Sequence, residues 1–452
     1  MRRIAFIGAG SLGFSRRLMI DILSHEALRE TEFALMDVHE KRLGYMDRIA
    51  TRIIKEGGFP ARHFVTTDRR KALEGADFAI TMVLIGDIQV ITHDIRIPMK
   101  YGVDQCIGDT LGVGGVFRSL RTIPVMVSIC QDMAELCPNA LLLNYTNPMA
   151  MLCWAMNDAV PQVRKVGLCH SVQGTAHQIA HWIGIPPAEI DYKVAGINHQ
   201  AWFLELKHKG RDVYPDLRKV LDKPDVLRGE TTRFEMFRHF GYFVTESSGH
   251  NSEYIPRIRK RPELIEKYCP GGSWNGGSAF ILQLYGGDRA NYEQGLERMA
   301  SGQDPINFNR SLEYGSYILN GVVSGQPFKF NGNVRNTGLI TNLLEGSCVE
   351  VPCYADRDGV TPSYVGNLPP QLAAINRTNV NVQELTVRAA LSGDCNLVYN
   401  ACAMDPLTGA VCSLDEIRSM CDELFEAETD WLPQFQPRKA AAKKSGRAAK
   451  KA

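Results

Sequence analysis

The chain has 452 residues with 44% hydrophobic and 22% charged side chains, a length and composition typical of a globular enzyme of two packed domains. Its formal net charge is +1, but residues 438–452 carry seven Lys and Arg and no acid. The rest of the chain has 44 Lys and Arg against 50 Asp and Glu, so its net charge is negative. The twelve cysteines form no Cys-x-x-Cys pair, and no apolar leader stands before Arg3, which predicts a protein of the reducing cytoplasm without structural disulfides. No apolar run approaches the roughly 18 residues of a membrane span, so we expect a soluble protein.

The first elements along the chain predict a strand, a turn and a helix in quick succession. Residues 3–7 form a short apolar run, a glycine-rich turn follows, and the segment from Ser15 has apolar side chains at helical spacing. A second apolar run, Phe-Ala-Leu-Met-Asp, places Asp37 at the carboxyl end of the next strand. This order is typical of the start of a doubly wound sheet.

The alternation continues and then becomes less regular. Helical spacing at residues 47–57 predicts the second helix. Three strand-like runs follow, at residues 77–84, 140–145 and 163–169. We therefore predict an α/β fold with a Rossmann-like, doubly wound parallel sheet that binds NAD over residues 1–190. Residues 191–437 mix strands, a glycine-rich stretch and helices, which predicts an α+β domain for substrate and metal.

Residues 438–452 form an Ala- and Lys-rich tail with no apolar face, so burial cannot offset the entropy lost on ordering it. We predict a disordered, solvated tail. The alternative is non-specific contact with nucleic acid or another anionic surface, because clustered cations bind phosphates electrostatically. We favour the first interpretation and expect no nucleic-acid partner for the chain.

The turn after the first strand predicts a dinucleotide-binding loop. The loop residues expected to bind the cofactor are Gly8, Gly10, Ser11 and Gly13. The first glycine permits the tight turn, the second admits the pyrophosphate, and the third aids helix packing. The following helix offers N–H donors to the anion. Asp37 lies at the distance expected for a ribose 2′-hydroxyl, and its carboxylate would repel a 2′-phosphate, which favours NAD over NADP.

A thiol and two imidazoles mark a candidate metal site. Cys169 and His170 end a predicted parallel strand, at the edge where open α/β sheets place their ligands, and His199 lies about thirty residues further on. A thiolate with an imidazole suits a borderline-soft divalent ion. Each residue alone is more often a buried or surface side chain, so two ligands by themselves do not decide the site.

A second histidine pair, His177 and His181, has the helical spacing of a zinc site. The zinc protease pattern requires a glutamate base directly after the first histidine, and Gln178 stands there instead. Because an amide cannot act as that base, we expect an ordinary helix at this position.

Nine segments spread along the chain resemble the successive motifs of one enzyme family. They read GAGSLGF, ADFAI, IGDTLGVGGVFRSLRTIP, NYTNPMAM, VGLCHSVQGT, AGINH, FGYFVTESSGHNSEY, GNVRNTGLI and MDPLTGAV. Over nearly all of residues 1–437 the chain is similar to glycoside hydrolase family 4, and especially to its α-galactosidase branch. The resemblance implies a glycosidase that uses NAD and a divalent ion, usually manganese, and that departs from the two-carboxylate chemistry of most glycosidases.

The resemblance also implies how such an enzyme works. NAD oxidises the 3-hydroxyl of the sugar to a ketone, a base removes the acidified hydrogen at carbon 2, and the leaving group at carbon 1 is eliminated. Water then adds and the hydride returns, so that the overall reaction is hydrolysis without net redox change. The metal acts as a Lewis acid that stabilises negative charge developing on the 2- and 3-oxygens.

Four positions of this chain match functional positions of the family at or near the metal. Cys169 and His199 match the metal ligands, and His170 matches the residue proposed to donate a proton to the leaving group. Imidazole titrates near neutrality, which suits that role. Tyr254 matches the base, and because a free phenol has a pKa of about 10 it needs help from the metal or a neighbouring cation.

Two further positions are implied by the same resemblance. Asp109 matches a residue thought to tune the tyrosine, and Asn147 matches a substrate contact, where an amide can both donate to and accept from a sugar hydroxyl. Without the resemblance, the spacing around Tyr254 would indicate a packed aromatic side chain. The base assignment therefore depends on the family motif.

The substrate follows less directly from the motifs. Residues 247–250 read Ser-Ser-Gly-His where the galactosidase branch tends to read Ser-Ser-Glu-His, and a basic stretch follows at residues 257–261. That stretch is either a solvated turn or a partner for a uronate carboxylate. We predict a terminal α-D-galactoside, with an α-glucoside or an α-galacturonide as alternatives. A phosphosugar is disfavoured, because phospho-acting relatives usually have a residue other than His after the cysteine.

A more distant alternative is an NAD-dependent hydroxy-acid dehydrogenase, since the dinucleotide loop and the Asn147-Pro148 segment also suit that class. Those enzymes carry a catalytic histidine next to an acid and an arginine for the substrate carboxylate, and the segment around His199 offers no such acid. A dehydrogenase would accumulate NADH, whereas the glycosidase would not. The resemblance further implies a homodimer or homotetramer.

Overall fold

The computed structural model describes residues 1–11 and 13–435, which are built around one sheet of twelve strands. The first six strands are parallel: β1 (Arg2–Ile7), β2 (Thr31–Met36), β3 (Arg62–Thr66), β4 (Phe78–Thr81), β5 (Leu141–Asn144) and β6 (Arg164–Gly167). Their order across the sheet is β3-β2-β1-β4-β5-β6, so the winding reverses between β1 and β4. A doubly wound sheet binds its ligands in the crevice at the carboxyl ends of strands at such a point.

Seven helices accompany these strands. They are α1 (Ser15–Leu23), α2 (Glu40–Glu56), α3 (Arg69–Leu73), α4 (Ile88–Lys100), α5 (Gly112–Leu136), α6 (Met149–Ala159) and α7 (Ser171–Ile183). In α1 the side chains of Leu18, Ile22 and Leu23 are fully buried, as their helical spacing predicts. Burial of such apolar faces against the strands supplies most of the stability of helices this short.

The remaining strands are antiparallel and extend the same sheet. They are β7 (Ile190–Ile197), β8 (Gln200–His208), β9 (Arg211–Asp212), β10 (Phe328–Arg335), β11 (Cys348–Asp356) and β12 (Gly359–Pro362). The sheet continues from β6 through β10, β11, β7 and β8 to β9, and β12 pairs with β11. Two neighbouring strand pairs in this sheet are each joined through a single residue pair. Asn333 of β10 pairs with Gly167 of β6, and Glu350 of β11 pairs with Gly196 of β7.

Thirteen further helices lie in this second half of the described chain. They are α8 (Tyr214–Lys219), α9 (Pro224–Gly229), α10 (Thr231–Phe240), α11 (Ser248–Glu253), α12 (Pro256–Arg259), α13 (Pro262–Tyr268), α14 (Phe280–Gly286), α15 (Asp288–Ser301), α16 (Gly315–Ser324), α17 (Pro370–Ser392), α18 (Cys395–Met404), α19 (Thr408–Val411) and α20 (Leu414–Ala427). Helix α17 packs against α5 and α6 and so joins the two halves.

The predicted α/β architecture with a doubly wound parallel sheet is confirmed, with differences of detail. Strand β3 escaped prediction because Arg-His-Phe-Val-Thr contains no continuous apolar run and lies at the edge of the sheet, where burial is incomplete. The predicted boundary at residue 190 falls at the first residue of β7. Since strands on both sides of it join one sheet, that division stays a prediction, and the predicted tail at 438–452 lies outside the described residues.

Helix α5 is long and apolar, and its burial decides how it is interpreted. Within the described chain it alone is long and apolar enough, by length and composition, to cross a membrane, with a mean hydropathy of 1.3 in its most apolar window. Of that window, 78% is buried inside the protein, as in a core helix. Two arginines interrupt its apolar run in sequence, Arg118 and Arg121, and both are buried beside carboxylates.

Candidate active site and metal centre

Three potential metal ligands converge where the parallel half of the sheet meets the antiparallel half. Cys169 follows β6, His199 lies in the tight turn between β7 and β8, and Glu246 follows a short bridge between Val244 and Trp202. His199 and Glu246 have φ angles of 62° and 71°, in the left-handed region that residues with side chains rarely adopt. Backbone strain of this kind clusters at functional sites, where the surrounding structure holds it in place.

The spacing of the three side chains suits one ion. Cys169 Sγ lies 3.2 Å from His199 Nε2, and that nitrogen lies 3.7 Å from Glu246 Oε2. All three ligand atoms lie within 4.8 Å of one another. Atoms that are each about 2.0–2.3 Å from a common ion stand roughly 3–4 Å apart, so the cluster has the dimensions of a metal centre. The two candidate ligands predicted from the sequence are therefore brought together, and Glu246 is a third candidate that sequence reasoning missed.

The charges of the cluster favour a cation. Burial opposes the charge of His199, but the thiolate of Cys169 and the carboxylate of Glu246 outweigh it and raise the pKa of His199 to about 10. Burial likewise opposes the charge of Glu246, yet the imidazoles of His250 and His199 hold the pKa of that carboxyl below its usual value. The same negative charges that stabilise a proton on His199 also attract a divalent ion. Thiolate, imidazole and carboxylate are ligands that suit a borderline-soft ion.

The second nitrogen of His199 faces the proposed acid–base residues. Its Nδ1 lies 3.2 Å from the hydroxyl of Thr110, which donates a hydrogen bond to Asp109 at 2.7 Å. The hydroxyl of Tyr254 lies 3.5 Å from the same Nδ1. When the Nδ1–H of His199 donates to the Thr110 hydroxyl, the lone pair of Nε2 is left free to bind a metal. In many metal sites a hydrogen bond to the second nitrogen of a histidine ligand fixes its tautomer in this way.

Tyr254 is fully buried and follows α11 directly. Burial, followed by the negative charges of Glu253, Asp109 and Glu246, raises the pKa of Tyr254 well above its usual value. The phenol therefore stays protonated in the metal-free protein. A divalent ion at the cluster would lower that pKa, which agrees with the requirement for a neighbouring cation stated for this residue.

Asp109 lies between the guanidinium group of Arg118 and the imidazole of His250. Burial opposes its ionisation, but Arg118 and His250 hold the pKa of Asp109 below its usual value. Its carboxylate oxygens lie 3.9 Å from a guanidinium nitrogen of Arg118 and 3.8 Å from His250 Nε2. The predicted tuning partner of Tyr254 is thus a partly buried anion in the same cluster.

His250 is a further site residue that sequence reasoning missed. Its ring lies 4.8 Å from the ring of His199, its Nδ1 lies 2.8 Å from the Ser247 hydroxyl, and Trp274 stacks on it at 5.9 Å. In the sequence this residue counted only as part of a departure from the family motif. A usable signal was the polar run at residues 245–253, which follows an aromatic and apolar segment and contains Glu246 as well.

His170 and Asn147 border the cluster from other sides. The His170 side chain is 60% exposed, and its Nδ1 lies 3.6 Å from Glu313 Oε1, so the imidazole stands on the solvent side of Cys169.

Asn147 follows β5, and its buried amide oxygen has no hydrogen-bond partner among the described residues. The amide of Asn198 is buried and equally unpartnered there. Buried polar atoms in native proteins nearly always have partners, so these amides fit a site for a polar ligand.

The glycine loop forms a close-fitting cradle at the carboxyl end of β1. Gly8 has a φ of 92°, and a Cβ there would lie 2.5 Å from the Met82 carbonyl oxygen. A Cβ on Gly10 would lie 2.8 Å from the carboxylate of Asp37, which accepts the Gly10 N–H at 2.8 Å. The Ser11 N–H closes the turn onto the Gly8 carbonyl at 3.0 Å. This cradle fits a dinucleotide, since only glycine lets the backbone approach a pyrophosphate so closely.

The structure does not support helix packing as the reason for Gly13. Among the described residues nothing lies within 4 Å of a Cβ built on Gly13, and α1 begins only at Ser15. The position lies in open space ahead of the helix N-terminus. Its place beside the cofactor stays a prediction.

Two of the four cations in the basic stretch, Arg259 and Arg261, already have partners within the chain. Arg259 is buried in an ion pair with Asp104 and donates to the Gly276 carbonyl oxygen at 2.7 Å. Arg261 pairs with Glu263 at the surface at 2.9 Å. Both guanidinium groups therefore already have partners within the chain.

The second histidine pair lies on α7, as expected for an ordinary helix. In residues 1–11 and 13–435, neither His177 nor His181 belongs to a group of three side chains that could hold a metal.

Comparison with known proteins agrees with this geometry. The profile of the family 4 glycosyl hydrolases matches residues 3–185, and that of the family 4 glycosyl hydrolase C-terminal domain matches residues 194–408. An α-galactosidase of Bacillus subtilis (strain 168) is 43% identical over 96% of this chain and 100% of its own length. An α-galactosidase of Rhizobium meliloti (strain 1021) is 41% identical over 98% of this chain and 91% of its own. The solved structure of a 6-phospho-α-glucosidase from gut microorganisms, in complex with NAD and Mn²⁺, shares the fold with a TM-score of 0.80 at 18% identity, covering 96% of this chain and 100% of its own.

Proposed function

The chain belongs to family 4 of the glycosyl hydrolases, and from that premise we propose that it hydrolyses terminal α-D-galactosides with NAD and Mn²⁺ as cofactors. The resemblance in its motifs is confirmed, and two relatives above 40% identity over nearly the whole chain are named α-galactosidases. One observation carries the mechanism. The imidazole of His199 has the Cys169 thiol and the Glu246 carboxylate at one nitrogen and the Tyr254 hydroxyl at the other.

The cofactors fit the residues present. The loop of Gly8 and Gly10 has the closely packed glycine turn of a dinucleotide-binding loop, and the three-residue cluster suits a divalent ion. When bound, the dinucleotide supplies reversible oxidation of the sugar 3-hydroxyl, and the ion supplies Lewis-acid stabilisation of the sugar oxygens, which acidifies the hydrogen at carbon 2. The protein itself then has to remove that proton, protonate the leaving group and hold the sugar.

Tyr254 removes the proton at carbon 2 in this proposal. Its hydroxyl is buried, lies beside His199 and is separated from bulk water, so the abstracted proton stays in the site. The surrounding anions keep the phenol protonated until positive charge enters the cluster. Base strength is thereby coupled to cofactor loading, which prevents a free tyrosinate in the empty enzyme.

His170 donates the proton to the leaving group. Its imidazole is on the exposed side of the site, where an aglycone would leave, and the carboxylate of Glu313 lies 3.6 Å from its Nδ1. That contact orients the ring. Asn147 and Asn198 hold sugar hydroxyls with their unpartnered amides.

The proposal is tested with purified, reduced protein supplied with NAD and Mn²⁺. A panel of p-nitrophenyl α-galactoside, α-glucoside and α-galacturonide measures the specificity, and substrate deuterated at carbon 2 measures exchange with solvent. We expect the galactoside to be turned over fastest, with loss of deuterium and no stoichiometric NADH. Cleavage that needs no NAD and retains all label would refute the mechanism, while faster turnover of another glycoside would move the substrate assignment within the family.

Accumulation of NADH in step with substrate would instead indicate the dehydrogenase alternative. Nothing in the site favours that outcome, because the described residues around His199 include a thiol and a buried phenol that a hydroxy-acid dehydrogenase does not require.

We extend the proposal to location, assembly and domains. A metal ligand that must be a thiolate suits a reducing cytoplasm, and the twelve cysteines are all free. A homodimer or homotetramer is expected, which light scattering after gel filtration measures. Residues 1–190 would bind NAD and residues 191–437 most of the substrate, with the metal centre shared, since Cys169 precedes the boundary and His199 follows it.

A further inference from the structure

A buried carboxylate next to the proposed base takes no part in the mechanism above. Glu253 is 2% exposed and directly precedes Tyr254. Its Oε1 accepts the backbone N–H groups of Cys106, at 2.7 Å, and Ile107, and its Oε2 accepts that of Gly108 at 2.9 Å. Three successive amides thus converge on one carboxylate, as backbone nests do on anions.

These amides belong to the loop that carries two other members of the site. Asp109 and Thr110 follow Gly108 directly, and the Thr110 hydroxyl lies 3.2 Å from His199 Nδ1. The loop has no helix or strand of its own between α4 and α5. Its position therefore depends on bonds from other segments, and the carboxylate of Glu253 supplies the bonds to its N–H side.

Other segments also hold this loop through hydrogen bonds and an ion pair. The carbonyl oxygens of Gln105 and Cys106 accept the N–H groups of Ala279 and Ile281 at 2.7 and 3.0 Å. Arg259 binds the backbone and carboxylate of Asp104. Within the described chain, Glu253 ties the loop of Asp109 to the segment of Tyr254 together with Arg259 and His250, and its three bonds go to the backbone N–H groups directly before Asp109.

We infer that Glu253 is a positioning residue. It fixes the distance of the Tyr254 hydroxyl from Asp109 and Thr110, so that the hydroxyl is placed for proton removal at carbon 2. The inference rests on the base role proposed for Tyr254. It assigns no chemistry to Glu253, which acts by fixing the distance between two elements of the site. A shift of about 1 Å between reacting groups lowers rates by as much as about 100-fold, so the effect is measurable.

The Glu253→Gln variant isolates this role. Its amide nitrogen would face a backbone N–H, donor against donor, so at least one of the three bonds is lost while side-chain size is kept. Burial raises the pKa of Glu253 to about 7 despite Arg259 and the amides, so a neutral side chain is tolerated and the variant is expected to fold. Glu428→Gln is the matched control, a buried carboxyl that binds Arg121 at 3.0 Å and has no contact with the site.

With substrate deuterated at carbon 2, Glu253→Gln should lower kcat by about 10- to 100-fold, leave KM within about threefold and increase the deuterium isotope effect on kcat. A variant that is merely less stable would lower kcat without changing the isotope effect, as expected for Glu428→Gln. An unchanged kcat, or a loss of kcat with an unchanged isotope effect, would overturn the inference.

Hydrogen exchange separates this inference from the proposed function. In Glu253→Gln the amides of residues 106–108 should exchange at least about tenfold faster than in the wild type, whatever substrate the enzyme takes, because they lose a buried acceptor. If the wild type cleaves no α-galactoside and exchanges no label, the proposed function fails. If the loop amides keep their wild-type exchange rates in the variant, the positioning role fails.

Discussion

Replacing Glu246 with Gln tests the proposed metal centre, because it removes the negative charge of one proposed ligand and keeps the size of the side chain. Glu246 Oε2 lies 3.7 Å from His199 Nε2, and its charge helps to raise the pKa of that imidazole. Groups that only orient metal ligands already contribute about 10- to 100-fold to affinity. We therefore expect the affinity for Mn²⁺ to fall at least about 100-fold on loss of a direct ligand.

The size of the effect can be worked out for thermal unfolding. At a free Mn²⁺ concentration 100 times the wild-type Kd, binding stabilises the folded state by about 2.7 kcal/mol, whereas a variant bound 100-fold more weakly gains about 0.4 kcal/mol. With an unfolding entropy of about 2.1 cal/mol/K per residue, a chain of 452 residues gains about 3 °C in Tm as wild type and less than about 1 °C as Glu246→Gln.

Calorimetry of reduced, EDTA-treated protein, with and without Mn²⁺, measures both values, and a titration gives Kd directly. Glu313→Gln serves as the control, since Glu313 is a partly buried carboxyl that contacts His170 and lies outside the three-ligand cluster. Its Mn²⁺ affinity should stay within about threefold of the wild type. Equal Mn²⁺ affinity and equal Tm gain in Glu246→Gln and wild type would show that Glu246 is not a ligand.

Three further outcomes follow from the same structure. Cys169→Ser should lose Mn²⁺-dependent activity, and oxidants should inactivate the wild type, because the ligand is a thiolate; full activity of the variant would exclude that role. Asp37→Ala should raise the Kd for NAD by about 10- to 100-fold and weaken discrimination against NADP, as measured by titration with both; equal NAD affinity would contradict the ribose contact. Burial, followed by the charge of Arg310, lowers the pKa of His25 to about 4. As pH falls from 6.5 toward 4 the unfolded chain binds this proton first, so stability is lost in that window, and denaturation of His25→Gln should be less pH-dependent by up to one proton.

The cofactor cradle could be predicted from the sequence because its parts are local. A glycine after an apolar run, two positions before another glycine, favours a tight turn between a strand and a helix, and Asp37 directly follows the next strand in the chain. The same locality placed Cys169 at a strand end. The resemblance supplied roles for Tyr254 and Asp109 that spacing alone did not indicate.

The third proposed ligand, Glu246, and the contacts of Glu253 were decided only by tertiary structure. Glu246 lies near Cys169 only in the assembled fold, in which the antiparallel strands join the parallel sheet through the single pair of Asn333 with Gly167, a pairing that no local pattern encodes. Likewise Glu253 binds amides of residues 106–108, which are far from it in sequence. A carboxylate on the chain is chemically the same at either position. Only burial among particular N–H donors or ligands gives each one its function, and burial is a property of the assembled fold.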